Sequence, residues 1–582
     1  MDQLVFGGDA GWGASLGTQA TPYCLPDHPC FPGSDRWQAL NESTGGKLIR
    51  PDGPPGCEKP TCADPYWRME QPAAVQFLNF QNGQGLSPDF PYPTNATTIP
   101  VVVGTASTAS VTQTGQSGQD RTPAYVLNAL SASDVVHAVN FARNHKLRLR
   151  IKNTGHDYLG RSSDVGAFTL WTNNLKDSTY EPEFVPEGAP EGTKPEKAIR
   201  AGAGNVVADL YKAADEAGVV VTAGVSRTVG GAGGFVLGGG HGPFAPLHGL
   251  AADNVLEFLA VTANGTLLRT SPYQHPTLFT ALRGGGSAFA VIVETVFRAH
   301  EPPAGFVGIF GQFYVDKNAT KEEGAKAWAE LMKRWVDLQP VLSEAGPFAG
   351  YTYVTAPFSP EDTPFAYILP SPDLNLSKSL FEPVFDWADG HPHIDIERKY
   401  VESETWYPMW HGPFTDALES LDSVGISLLL GSRLIPKDVV EQKSDELSTF
   451  LAESHSPSIV HLVAGGKVQE EPSFPSSVHP AWRKALLHID LPISWTVASN
   501  TSTISALTSY LTSHTLSLGR IASSLGAPEA SYSSESDYHE AEWQKVWYGE
   551  ENYERLLRAK KEWDPEGVFN ARNAVGSEIV GW

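Results

Sequence analysis

The residues best suited to chemistry in this chain form a short turn, Lys152–Gly160 (KNTGHDYLG), with glycine and histidine at its centre. Small residues at a turn leave backbone N–H groups exposed, and such groups can bind the oxygens of a phosphate. The pattern therefore indicates a phosphate-binding loop. Taken alone the indication is weak, because most glycine–histidine turns only reverse the chain.

A second glycine-dense segment, Thr228–Gly242 (TVGGAGGFVLGGGHG), is closed by Gly249–Val255 (GLAADNV). Its composition also fits a flexible linker. Linkers, however, normally lack large apolar residues such as Val229 and Phe235, which are interleaved with these glycines. Glycines among large apolar residues indicate backbone that packs closely against a ligand. We therefore favour a ligand-binding segment, whose neutral backbone donors would suit a diphosphate.

A third candidate is the run Leu487–Trp495 (LHIDLPISW), in which polar and apolar residues alternate. Successive side chains of a strand point to opposite faces, so His488 and Asp490 share one face. This face either lines a site or is a solvent-exposed surface of the strand.

In another run, every second residue has a side chain of a type that binds metals. On one face of a strand these residues would suggest a metal hydrolase, although Pro392 interrupts the strand and no distant ligand set is evident. We keep this as a remote alternative and predict no metal. The residues of the run are Asp389, His391, His393, Asp395 and Glu397.

The elements that must position these residues follow from hydrophobic periodicity. The alternation over Leu147–Ile151 predicts a strand leading into the first turn, and Ser133 is a candidate N-cap for the preceding helix. A second helix is predicted over Val206–Ala214. Farther along, alternating apolar residues predict strands near 307–315, 426–428 and 459–463, with a helix over Glu322–Leu338. Such patterns are typical of an α+β protein with a mostly antiparallel second sheet.

Length and charge limit the possible functions. The 582 residues are enough for two domains and an extension. The 42 basic and 66 acidic residues give a net charge of −24, which disfavours binding to nucleic acids and anionic membranes. No run approaches the roughly 18 consecutive apolar residues of a membrane span. We expect no nucleic-acid partner and no membrane.

The cysteines point to an oxidising compartment. Cys24, Cys30, Cys57 and Cys62 are the four cysteines, and their Pro- and Gly-rich surroundings cannot build a large core without disulfides. Three pairings are possible, and all stay open. Because Met1–Gln3 lacks the charged and apolar regions of a secretion signal, we expect a mature secreted form. Glycosylation sequons, which favour the same interpretation, begin at Asn41, Asn95, Asn264, Asn318, Asn375 and Asn500.

Five ordered blocks carry a family resemblance: the two glycine-bearing segments, Leu278–Ser287 (LFTALRGGGS), Asn552–Lys560 (NYERLLRAK) and Asp564–Asn570 (DPEGVFN). Together they resemble the vanillyl-alcohol-oxidase and p-cresol-methylhydroxylase superfamily of FAD-linked oxidases. Within it, the chain is similar to the berberine-bridge-enzyme-like branch and its fungal isoamyl-alcohol-oxidase-like members.

The resemblance implies a two-domain α+β fold, with an FAD-binding domain formed by two chain segments and a substrate domain whose mainly antiparallel sheet is covered by helices. Residues 1–100 would be a disulfide-braced N-terminal extension. The FAD-binding domain would take 101–301 and, after the chain returns, 531–582. The substrate domain would take 302–530.

The resemblance also implies roles for single residues. His156 matches the histidine that is bonded to the flavin, so FAD is expected to be covalently attached. Many relatives add a cysteinyl bond in the segment that matches Val225–Thr228, where this chain has Ser226 as the likeliest counterpart and no cysteine. A single attachment is therefore expected.

Asp490 falls on the family's glutamate base and would accept the proton of a substrate hydroxyl. Its shorter arm leaves open whether His488 acts as the base or tunes it. Tyr158 would orient the substrate oxygen. The expected cofactor-binding residues are Asn153, Thr154, Gly155, His156, Asp157, Gly160, Ser226, Thr228, Gly230, Gly233, Gly234, Gly240, Gly242, Asp253, Asn254, Val255, Ile292 and Asn570.

These observations predict a secreted, monomeric FAD-linked oxidase that removes hydride from an alcohol-type carbon of a small molecule and passes the electrons to O2, giving hydrogen peroxide. A dehydrogenase that uses another electron acceptor is the alternative within the same family.

Overall fold

A computed structural model describes residues 23–50, 101–102, 112–113, 123–162, 164, 166–357, 363–418, 427–495 and 501–580. The strands, in chain order, are β1 (Leu48–Ile49), β2 (Val101–Val102), β3 (Thr112–Gln113), β4 (Tyr125–Asn128), β5 (Leu149–Lys152), β6 (Phe168–Trp171), β7 (Ser178–Phe184), β8 (Glu196–Gly202), β9 (Val255–Thr262), β10 (Leu267–Thr270), β11 (Ala290–Arg298), β12 (Phe306–Val315), β13 (Ala349–Val354), β14 (Thr363–Leu369), β15 (Ile394–Ser403), β16 (Ser427–Pro436), β17 (Ser458–Leu462) and β18 (Ala485–Trp495).

The α-helices range from single turns to a helix of 25 residues. They are α1 (Ser34–Ser43), α2 (Ala132–Asn144), α3 (Val207–Glu216), α4 (Val236–Gly238), α5 (Ala245–His248), α6 (Pro276–Leu282), α7 (Lys321–Ala345), α8 (Leu374–Gly390), α9 (Trp406–Met409), α10 (Thr415–Ala417), α11 (Lys437–Gln442), α12 (Ser444–Glu453), α13 (Thr501–Ala522), α14 (Trp543–Tyr548), α15 (Glu550–Trp563) and α16 (Ser577–Val580).

The first sheet has the order β1-β4-β6-β5, with β4, β6 and β5 parallel and β1 antiparallel to β4. Helix α2 joins β4 to β5 and buries Val135, Val139 and Ala142. The residue that caps α2 is Ser131, whose side chain accepts from the backbone N–H of Asp134. The prediction of Ser133 as the cap is therefore wrong by two residues.

The described part of the predicted extension belongs to this first sheet. Strand β1 pairs with β4, and Trp37 of α1 stacks on Tyr125 with ring centroids 3.8 Å apart. A disulfide joins Cys24 to Cys30, whereas Cys57 and Cys62 lie outside the described residues. Residues 34–49 are thus packed against the first domain, because β1 pairs with β4 and Trp37 covers the ring of Tyr125.

The second sheet is antiparallel with the order β10-β9-β11-β8-β7. The third is a seven-stranded antiparallel sheet with the order β15-β12-β14-β13-β17-β18-β16. Helices α7, α8, α12 and α13 pack around it, and α7 buries Trp328, Leu331 and Trp335. Strands β2 and β3 form a separate two-stranded ribbon.

After the third sheet the chain returns to the first domain. Lys560 of α15 donates to the carbonyl oxygen of Ala288 at 2.8 Å, and Arg150 of β5 donates to the carbonyl oxygen of Asn570 at 2.6 Å. The C-terminal segment therefore closes the space between β5 and β11. Within the described residues, no helix combines the length and apolar character that a membrane crossing requires.

Candidate active site

A cavity of about 490 Å³ lies between the first domain and the third sheet. One side is formed by the turn after β5, the glycine segment and the start of β11. The other side is formed by side chains of β13, β16, β17 and β18, and residues 532–535 and 569–574 complete the wall. The cavity thus brings together the three candidate segments of the sequence.

The turn after β5 is fixed by its first residue. Asn153 donates from Nδ2 to the carbonyl oxygen of Ala203 at 2.5 Å, and Trp171 donates from Nε1 to the carbonyl oxygen of Asn153 at 3.0 Å. Gly155 has φ +91°, which a side chain would disfavour. Among the described residues no donor reaches Asn153 Oδ1, which is buried, so this atom is left for a ligand.

His156 projects into the cavity next to the glycine segment. Its Nε2 lies 2.8 Å from Thr228 Oγ1, a contact that fixes the orientation of the ring. Asp157 accepts from Arg161 Nε at 2.9 Å, which braces the turn by an i,i+4 ion pair. The histidine is therefore held in one orientation at the cavity wall.

Within the glycine segment, Gly231–Phe235 form a turn that is kinked at Gly233 (φ −121°, ψ −112°). A Cβ on Gly230 or Gly233 would lie only 2.8 or 2.3 Å from Asn153 Nδ2, so both positions need glycine for close packing against the turn. A Cβ on Gly234 would meet no atom within 4 Å and would project into the cavity. The backbone here is an open cradle that can take the anionic part of a nucleotide.

Buried ionisable groups line the end of the cavity against the third sheet. Asp490 Oδ1 lies 2.9 Å from His488 Nε2, which also lies 2.8 Å from Glu535 Oε2. Glu535 Oε2 lies 3.0 Å from His241 Nε2, and His461 Nε2 lies 3.7 Å from Asp490 Oδ2. The side chains of these three histidines and Asp490 are 7% exposed or less.

Burial and mutual charge set the protonation of this group. Burial lowers the pKa of His488, but Asp490 and Glu535 outweigh it and raise that pKa to about 10. Burial, opposed by His488, raises the pKa of Asp490 to about 7. Burial would raise the pKa of Glu535, but His241 and His488 hold it well below its ordinary value. Burial also lowers the pKa of His241 and of His461.

Phenols and apolar side chains form the remaining wall. Tyr158, Tyr351 and Tyr353 line the cavity, and burial raises the pKa of each phenol well above 10. They are therefore protonated donors at neutral pH. Leu428 and Leu430 of β16 supply an apolar surface beside them.

The structure brings most of the predicted site residues together. Thr228 contacts His156 without lining the cavity, and His488 lies directly behind Asp490. The predicted residues that line the cavity are Asn153, Thr154, Gly155, His156, Asp157, Tyr158, Ser226, Gly230, Gly233, Gly234, Ile292, Asp490 and Asn570.

Other predicted residues do not line it. Gly160, Gly240 and Gly242 lie in the loops around the cavity. Asp253 binds Arg483 with both carboxylate oxygens at 2.8 Å, Asn254 donates to the carbonyl oxygens of His248 and Leu250, and Val255 begins β9. All three order loops that lie behind the cavity wall.

Several residues of the site were not predicted from the sequence. Tyr351 and Tyr353 alternate on β13, and His461 pairs with both Tyr351 and His488 across the sheet. Their position at the cavity depends on the register between strands, which the sequence does not give. Glu535 and His241 lie in loops and carry no periodic signal.

The alternating run at 389–397 does not form a metal site. Asp389 binds Arg398 at 2.8 Å, His391 faces Glu330 at 3.9 Å and His393 faces Glu323 at 4.0 Å. These three side chains have different partners because Asp389 lies at the end of α8, whereas β15 begins only at Ile394.

Comparison with known proteins gives the family. Residues 123–271 match the family model described as "FAD binding domain", and residues 531–576 match "Berberine and berberine like". An uncharacterized FAD-linked oxidoreductase of Arthroderma benhamiae is 32% identical over 95% of this chain and 94% of its own length. The VAO-type flavoprotein oxidase VAO615 of Thermothelomyces thermophilus is 30% identical over 96% and 94%.

The crystal structure of the VAO-type flavoprotein MtVAO615 from Myceliophthora thermophila C1 has a TM-score of 0.75 to this chain. It is 26% identical, and the match covers 96% of this chain and 97% of that one. The predicted two-domain α+β architecture is confirmed by this likeness. The chain belongs to the VAO-type FAD-linked oxidoreductases, with an FAD-binding domain and a berberine-like C-terminal segment.

Proposed function

We propose that this protein is an oxidase that takes hydride from an alcohol-type carbon of a small molecule, using FAD attached through His156, and returns the electrons to O2 as hydrogen peroxide. The observation that carries the proposal is a single cavity with His156 at one side and the buried carboxylate of Asp490 at the other. When bound, FAD supplies the two-electron acceptor.

The residues of the first domain fit this cofactor. The turn after β5 and the open cradle at Gly234 would hold its diphosphate through backbone N–H groups. Asn153 Oδ1, which is buried without a donor among the described residues, would accept a hydrogen bond from the cofactor. Ile292 and Asn570 form the far wall.

The residues of the third sheet handle the substrate. Asp490 accepts the proton of the substrate hydroxyl, which makes the adjacent carbon a better hydride donor. The phenol of Tyr158 donates to the substrate oxygen and orients it. Leu428 and Leu430 cover the apolar part of the substrate and exclude water. The wall therefore favours a small alcohol with an apolar or aromatic body.

We also propose secretion. The Cys24–Cys30 disulfide is typical of an oxidising compartment, and the side chains of the sequon residues Asn264, Asn318 and Asn375 are exposed, as glycan attachment requires. The protein would act as a monomer outside the cell.

The attachment is tested by acid precipitation. We expect flavin absorbance in the pellet of the wild-type protein, and in the supernatant, or not at all, for His156→Ala, because this substitution removes the bonding nitrogen. Ser226→Ala is the matched control and should keep flavin in the pellet, since the proposal gives Ser226 no bond to the cofactor.

Yellow colour that stays in the pellet of His156→Ala would show attachment elsewhere. A colourless wild-type protein that takes up no added FAD would contradict the whole proposal. For a protein that passes this test, oxygen consumption with a panel of aliphatic and aromatic alcohols identifies the substrate, and slow reoxidation in air would contradict oxidase activity.

A further inference from the structure

Three histidines and one glutamate converge at the sheet side of the cavity. One ligand-type atom from each of His241, His461, His488 and Glu535 can be chosen so that all four lie within 4.8 Å of one another. The three imidazole rings form a nearly equilateral triangle, with centroid distances of 5.2, 5.2 and 5.1 Å. Their planes are inclined to one another by 64°, 63° and 83°.

This triangle has the dimensions of a tetrahedral metal centre. With metal–nitrogen distances of about 2.0–2.1 Å, three imidazoles around a tetrahedral zinc ion place their ring centroids about 5.2 Å apart. The same geometry separates ligand atoms by about 3.4 Å. Glu535 Oε2 lies 3.0 Å from His241 Nε2 and 2.8 Å from His488 Nε2, and the four ligand atoms lie within 4.8 Å of one another. An ion would therefore require side-chain shifts of up to about 1.4 Å towards a common centre.

His461 gives an independent indication of a ligand. It is 6% exposed, lines the cavity, and neither ring nitrogen has a hydrogen-bond partner among the described residues. A buried polar group without a partner costs about 1–3 kcal/mol. Coordination of an ion by one of its nitrogens would remove this cost.

The fold holds the four side chains in place from separate parts of the chain. His461 of β17 and His488 of β18 are directly paired across the sheet, which fixes their separation. His241 follows Gly240, whose backbone N–H is held by Tyr532 Oη at 3.2 Å. Glu535 lies three residues after Tyr532 in the C-terminal segment. The strand pairing and the Gly240–Tyr532 contact therefore bring the four side chains together without an ion.

We propose that these four side chains bind a divalent first-row transition ion, with Zn²⁺ as the best match to three imidazoles and one carboxylate. Imidazole ligands select ions of this class over Mg²⁺ and Ca²⁺, which prefer oxygen. The site lies on the cavity wall beside Asp490, so a bound ion would face the substrate. The inference goes beyond the oxidase proposal and does not depend on it.

The competing explanation is a hydrogen-bonded network in which Glu535 accepts from His241 and His488 and no ion binds. That network accounts for two of the three histidines. It leaves His461 without a role, since its Nε2 is 3.7 Å from Asp490 Oδ2.

Metal content tests the proposal. The full chain is purified without a histidine tag, dialysed against a chelator, incubated with ZnCl2 or MgCl2 and freed of loose ions by gel filtration. Mass spectrometry of the metals should find about one Zn²⁺ and no Mg²⁺ per chain. His461→Gln should lower zinc occupancy at least tenfold. His479→Gln, which changes a buried histidine outside the group, should keep about one Zn²⁺ per chain.

Circular dichroism and flavin absorbance of the same samples separate the possible results. Zinc lost from a folded His461→Gln that keeps its flavin supports the site and leaves the oxidase proposal unaffected. If His461→Gln does not fold, Glu535→Gln provides the same measurement. Wild-type protein that retains no zinc, or variants that retain as much as the wild type, would overturn the inference.

Discussion

At the scale of single residues, Asp490 shows how a short polar side chain acquires a role from its surroundings. It lies in the centre of β18, 2% exposed, opposite Ile459 and Ser432 on the neighbouring strands. Burial of a carboxylate is costly unless it is paired, and His488 at 2.9 Å supplies that pairing. A carboxylate held in this way at a cavity wall is suited to accept a proton.

Asp490→Asn should therefore abolish most of the turnover without loss of cofactor. Since general-base catalysis contributes about 10²–10⁴-fold, we expect kcat/KM to fall by about that factor while flavin content stays at the wild-type level. Asp490→Glu keeps the carboxylate and should retain more activity than the asparagine variant. Ser494→Ala, on the exposed part of the same strand, is the control. An Asp490→Asn enzyme with near-normal kcat/KM would assign the base elsewhere.

At the scale of helices and strands, hydrophobic periodicity predicted the positions of several single strands and helices. It did not predict the contacts between two elements. Alternation located β12 and β17, and the helix expected over Glu322–Leu338 is the N-terminal part of α7, which continues to Ala345. The register between β17 and β18, which places His461 beside His488, was not predictable because it depends on pairing between strands. Asp253 was predicted to bind the cofactor because it follows the glycine segment, but in the structure its carboxylate binds Arg483 behind the cavity wall.

The contact between α5 and the end of β11 predicts how stability depends on pH. His248 stacks on His300 with centroids 3.7 Å apart, and burial lowers their pKa values to about 4 and about 3. Both are neutral in the folded protein, whereas an unfolded chain binds protons below about pH 6.5. The stability contributed by their neutral form is thus complete above about pH 6.5 and is lost as the pH falls towards 4.

His300→Gln should therefore make stability less sensitive to acid. Removal of one such group reduces the slope of unfolding free energy against pH by up to about 1.4 kcal/mol per unit between pH 6.5 and 4. Urea midpoints measured across this range give the slope. His455→Gln, which changes an exposed histidine, should leave it unchanged. Equal slopes for wild type and His300→Gln would show that the pair is not titrated on unfolding.

At the scale of the whole molecule, the two ends of the described chain build one domain. The C-terminal segment supplies Glu535 and Asn570 to the cavity, while the first domain supplies His156. The family resemblance predicted this return of the chain, because blocks similar to flavin-binding sequences occur on both sides of the third sheet. The contacts between the C-terminal segment and the rest of the first domain were not predictable, since they join residues hundreds of positions apart in the sequence.

Lys560 is one of the residues that hold the C-terminal segment against the first domain. Its side chain is 5% exposed, and its ammonium group binds Asp564 at 2.6 Å and also donates to the carbonyl oxygens of Ala288 and Phe569. Lys560→Met keeps most of the volume but leaves Asp564 as an unpaired buried charge. Such a loss costs about 3–5 kcal/mol, so the thermal midpoint should fall and proteolysis should release the C-terminal segment.

Lys561→Met is the matched control, because the neighbouring side chain is exposed and surface substitutions change stability by only about 0.5 kcal/mol. Flavin content should follow the same order, since the segment that Lys560 fastens also carries the cavity wall at Asn570. If Lys560→Met unfolded at the same temperature as Lys561→Met, the buried ion pair would add nothing measurable to stability, and the C-terminal segment would be held by its other contacts, such as the bond from Arg150 to the carbonyl oxygen of Asn570.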